Sequence, residues 1–217
     1  MYSTQGGAGG RYNKFQYGGY ELALKYNVLS PYKDEIGLSF GVGFEDRDQY
    51  RLDGADIDQK SYTATIYVQK NWMDNLLSVA GNFKTEFERR KSPGVLEEEI
   101  AFDMSAGVSY RVAPKHYIGL EFRRQEDHLN PYEEGVGFDT EHDNSEFDLG
   151  DFQLGSRHQY GQYLGPTYHY AEKEWWFTTG ILFQINGGGS KNAFNKSGRN
   201  FDEHEEMHIG FIVGYEF

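Results

Sequence analysis

Apolar and polar residues alternate with a period of two along most of this chain. The clearest stretch is 36–45, where Ile36, Leu38, Phe40, Val42 and Phe44 alternate with Gly37, Ser39, Gly41, Gly43 and Glu45. That period sends one set of side chains to each face of a β-strand. It predicts a first strand over 20–28, with Leu22, Leu24 and Tyr26 opposite Ala23 and Lys25. Further strands follow over 61–71, 77–87, 100–112 and 117–123, then one ending at 164–170, then 176–185 and 207–217. About nine strands are visible. Residues 1–19 read as a Gly-rich loop or partial strand, and 20–217 as one domain.

Connections along the chain alternate between short and long. Short turns follow Val28, Asn71, Val112 and Tyr170; long polar segments begin near Asp46, Arg89, Asp127 and Gly187. Transmembrane barrels segregate short and long loops to opposite rims. The polar faces carry Lys25, Lys84, Glu86, Asp103, Arg111, Glu121, Arg123 and His169, too much charge for a dry barrel core. These residues are the expected lining of a wet lumen.

The final strand strengthens the reading. Met207, Ile209, Phe211, Val213, Tyr215 and Phe217 share one face, and the sequence ends on that Phe. About ten residues span a bilayer when tilted. The strand resembles the C-terminal assembly signal of bacterial outer-membrane barrels, carried here by Phe211, Val213, Tyr215 and Phe217. The family form often places Gly five residues before the last aromatic, where this chain has Ile212. The expected fold is an antiparallel up-and-down transmembrane β-barrel. Nine strands is an odd number, which predicts an N-terminally truncated chain and a complete barrel of 10–12 strands.

Composition agrees. Hydrophobic residues make up only 38% of the 217, yet aromatics reach 17% and glycine 27 positions, the profile of apolar residues spread over one strand face. Trp72, Trp175 and Trp176 sit beside short turns, as an interfacial aromatic belt would place them. A net charge of -13 argues against nucleic acid. Cysteine is absent, which excludes disulfides and thiolate metal sites.

Several stretches resemble an uncharacterised family of Gram-negative outer-membrane barrels. They are Leu22 to Tyr26 with Leu29-Ser30-Pro31-Tyr32 and Ile36-Gly37-Leu38; Gln69-Lys70-Asn71; and Tyr110-Arg111-Val112-Ala113-Pro114 with Gly119-Leu120-Glu121-Phe122-Arg123. Leu164-Gly165-Pro166 with His169-Tyr170, and Asp202-Glu203-His204-Glu205, complete the set. The resemblance implies an outer-membrane location, further N-terminal strands and a signal peptide, and no established activity. Its implied partners are outer-membrane lipid, lipopolysaccharide and the outer-membrane assembly machinery.

Candidate chemistry is sparse. His204, Glu206 and His208 would share one face of the last strand and offer ligands to a divalent cation, against the plainer reading of polar lumen lining. Asp139, Glu141, Asp143, Asp148 and Asp151 crowd one long loop, but Phe147 breaks the spacing of an EF-hand. Ser156 with His158, or the inward Ser109, would be the nucleophilic pair of a lipid hydrolase. The leading expectation is a non-enzymatic, cofactor-free channel or solute-transport barrel. A structural or surface-binding barrel with a plugged lumen is the alternative, with a lipid hydrolase or a soluble ligand-binding barrel behind it.

Overall fold

A computed structural model describes residues 2–3, 16–49, 56–92, 95–130, 147–150, 152–189, 198–201 and 204–215. Two short strands, β1 (Tyr2–Ser3) and β2 (Gln16–Tyr17), pair with each other. The remaining nine form one antiparallel sheet: β3 (Gly19–Leu29), β4 (Gly37–Gln49), β5 (Asp56–Trp72), β6 (Leu77–Ser92), β7 (Val95–Ala113), β8 (His116–Leu129), β9 (Arg157–Ala171), β10 (Trp175–Gly188) and β11 (Met207–Tyr215). Each pairs only with its neighbours in sequence, so the sheet is a meander with β3 and β11 at its edges. It curls into a half-barrel. Among the described residues there is no helix, and none long and apolar enough to cross a membrane.

Burial is inverted relative to a water-soluble domain. Among the described residues, Ile100, Tyr163 and Leu182 are the buried large hydrophobics, whereas Ser39, Glu45, Arg47, Gln59, Ser61 and Gln184 are buried polar ones. Alternation makes the outer face apolar and open. Leu24 is 77% exposed and Phe211 68%, with Val42, Ile118, Ile181 and Ile209 also exposed. The concave face holds small and charged side chains. Trp72 and Trp175 stand exposed at strand ends beside the short turns, while Trp176 packs against Gly214.

Two features depart from the sequence reading. Strands β5 to β9 run several residues past the apolar alternation, so two of the four expected long loops shrink to connections over 50–55 and 93–94. Cross-strand charge sustains these extensions. Arg90 Nε donates to Glu97 at 2.9 Å, and Arg89 lies 3.4 Å from Glu98. Opposite charges facing each other across a ladder stabilise it without an apolar face. The other two connections, over 130–156 and 189–206, remain long. The return of the first packs on the outer face: Phe147 meets Tyr62 at 4.5 Å between ring centroids, and Phe152 meets Phe87 at 5.5 Å. On the opposite rim, Lys115 Nζ holds both Glu172 oxygens at 2.7 Å, tying two short turns together.

Candidate functional site

Strand register carries rows of side chains across the concave face. In one row Lys25 pairs with Gly41, Gly41 with Thr65, Thr65 with Lys84, Lys84 with Asp103 and Asp103 with Gln125. Directly opposed residues are about 5 Å apart at Cβ, close enough for charges to meet. Lys84 Nζ lies 3.4 Å from Asp103 Oδ2 on the next strand and 2.8 Å from Glu86 Oε2 on its own. Lys25 Nζ sits 4.0 Å above the Tyr67 ring, a cation–π contact.

Two cavities open along this face. One, of about 310 Å³, lies between β3 and β6 and is lined by Glu21, Lys25, Glu45, Tyr67, Lys84 and Glu86. The other, of about 180 Å³, extends from β5 to β9 past Lys84, Glu86, Asp103 and Asp127. Of the expected lining residues, Lys25, Lys84, Glu86 and Asp103 are thus brought together. The others line neither cavity. Glu121 and Arg123 pair with each other at 2.8 Å, His169 Nδ1 meets Thr178 Oγ1 at 2.7 Å, and Arg111 is half-buried near the short turn after β7. Glu88, Glu99, Asp127 and Gln159 also line the second cavity. They escaped the sequence reading because they lie in the charged strand extensions.

The segment before β11 folds back against β10. Gln184, 1% exposed, accepts from the Asn200 amide at 2.7 Å and donates to the Asn200 carbonyl at 2.6 Å. Its Nε2 also reaches the Glu205 carbonyl at 3.3 Å, and its amide donates to the Glu206 carbonyl at 3.0 Å. The Gly187 amide bonds to the Gly198 carbonyl at 2.9 Å. Residues 198–201 and 204–206 therefore form a strap, and it sets His204 and Glu205 on the second cavity.

The strap itself is acid-sensitive. Burial pushes the His204 imidazole down to about 4, opposed by the nearby carboxylates of Glu205 and Asp103. The His208 side chain, 3.2 Å away, holds the Glu205 carboxyl down at about 2. The docked strap thus keeps His204 neutral and Glu205 charged, whereas an undocked strap takes up protons near pH 6.5 and 4.5. Docking is at full strength above about pH 6.5. It weakens as pH falls toward 4 for the histidine and further toward 2 for the carboxyl. Hydrogen exchange at the Asn200 amide, corrected for the intrinsic rate, is expected to lose roughly tenfold or more of its protection between pH 7 and 4. Constant protection would overturn this assignment.

A metal set of His204, Glu206 and His208, the weaker of their two readings, does not assemble. Strand β11 begins at Met207, so His204 and Glu206 precede it and the shared strand face on which the set depended does not exist. Among the described residues no group of three or more His, Cys, Asp or Glu could hold a metal ion. Ser156 precedes β9 and His158 is its second residue, both exposed, while Ser109 pairs with Ser78 and Gly119 within the sheet. Asp148 accepts from the Gly150 amide at 2.8 Å. Asp139, Glu141, Asp143 and Asp151 lie outside the described residues. Of the expected assembly signal, Phe211, Val213 and Tyr215 are exposed on β11, and Phe217 lies outside the described residues.

No curated protein and no solved structure matches the chain. A family model does, over residues 3–217, and the chain belongs to that family, DUF6662, a family of unknown function.

Proposed function

We propose that the chain forms the wall of a transmembrane β-barrel in a Gram-negative outer membrane, with its concave face lining a channel for polar solutes. One observation carries the reading: apolar side chains crowd the outer face while charged and small ones fill the concave side. Each large aliphatic side chain moved from water into hydrocarbon gains about 2 kcal/mol, and a contiguous face of them marks a membrane or protein contact. Exposed Trp72 and Trp175 would sit at one interface. Open strand edges are not stable in hydrocarbon, so β3 and β11 require closure into a larger barrel, of 10–12 strands on this reading. Lipid, lipopolysaccharide and the outer-membrane assembly machinery are the corresponding partners.

The test is ionic current from the detergent-folded protein in planar bilayers, together with quenching of tryptophan fluorescence by brominated lipid. Current with quenching is the expected result. Quenching without current would instead favour a structural or surface-binding barrel, which the docked strap across the concave face would help to plug. A protein that stays monodisperse without detergent and shows no quenching would sink the membrane reading.

A further inference from the structure

We propose that the strap and the wall facing it form a constriction selective for small hydrated cations; this rests on the channel reading above. Glu86, Glu88, Glu99, Asp103, Asp127 and Glu205 all line the cavity beside the strap. The cationic side chains lining it are Lys84 and Arg90, and both are engaged with carboxylates. Lys84 lies between Glu86 and Asp103, and Arg90 donates to Glu97. The excess of carboxyl over basic side chains lies where the passage is narrowed by a strap built on the buried Gln184 and Asn200.

A second observation points to a mobile ligand. His204 is 7% exposed and lines the same cavity, and its Nε2 has no hydrogen-bond partner. A buried ring nitrogen without a partner carries a desolvation cost, which a water in a cation's hydration shell would remove. Gln159 Oε1, on β9 two residues from the Gly161 that the His204 ring packs against, is also without a partner. Since no group of three or more His, Cys, Asp or Glu among the described residues could hold a metal ion, the ligand is a cation that is passed along a ring of charge rather than trapped.

The experiment is the reversal potential of the reconstituted protein under a KCl gradient. Potassium is expected to permeate several-fold better than chloride. Glu205→Lys, at a side chain 56% exposed, should abolish or reverse the preference. The double variant Asp103→Asn, Asp127→Asn should reduce it. The second of these changes keeps a side-chain carbonyl oxygen to accept the bond that Gln159 donates to Asp127 at 2.9 Å. Asp74→Asn, in the turn on the other rim, should leave the preference unchanged. Current with no preference, or with preference for chloride, overturns the cation constriction and leaves the channel intact. An absence of current overturns the channel reading and this inference with it.

Discussion

Gly165→Ala is expected to destabilise the sheet by about 3 kcal/mol or more, the upper end for overpacking. A Cβ on Gly165 would fall inside the Ile181 carbonyl oxygen, and it would stand 2.8 Å from both the Ile181 carbonyl carbon and Leu182 Cα. All three atoms are backbone, so no side chain can rotate away. Relief would require β9 and β10 to separate where Leu164 pairs with Phe183 and Thr167 with Gly180. Gly210→Ala is the matched control, because a Cβ there meets nothing within 4 Å. Urea titration of the two variants in detergent should place the Gly165 variant's midpoint far below the other. Equal midpoints would show that the close approach of β9 and β10 is not a constraint.

Leu24→Arg separates the bilayer from water. The side chain is 77% exposed, so in aqueous surroundings the change should stay within about 0.5 kcal/mol. On the lipid face near the midplane an arginine costs about 2–4 kcal/mol. Folding into lipid vesicles, followed by denaturant titration, is expected to show the larger loss. A loss within the aqueous range would contradict a lipid-facing β3.

How far the sequence could be read follows from which forces it displays locally. Alternation is local, so Leu38 to Phe44 mark their strand and the small or polar identity of the opposite face, although the strand begins at Gly37 and leaves Ile36 outside it. The extensions of β6 and β7 carry no such signal. Arg89, Arg90, Glu97 and Glu98 look like a solvated loop until the register sets arginines opposite glutamates. Four of the expected lining residues meet at cavities because alternation fixes which face they take, but not how far along the sheet a cavity lies. The strap was out of reach. Gln184 and Asn200 are 16 residues apart, and their mutual bonds depend on a chain reversal that neither periodicity nor spacing encodes. The same blindness put His204 and Glu206 on a strand that starts only at Met207.

The meander also has a consequence for the order of assembly. Every ladder joins neighbours in sequence, so hairpins can form one after another with little chain to gather. The exceptions are β8 to β9, separated by the 27 residues 130–156, and β10 to β11, separated by the 18 residues 189–206, against the four residues 73–76 between β5 and β6. Closing the longest of these rather than the shortest costs about 1.7 kcal/mol more in chain entropy. Strands β3 to β8 therefore form one kinetic block and the β9–β10 hairpin another, with the strap and β11 added last. These two long closures, the β8 to β9 one first, are the steps at which folding of the sheet should slow.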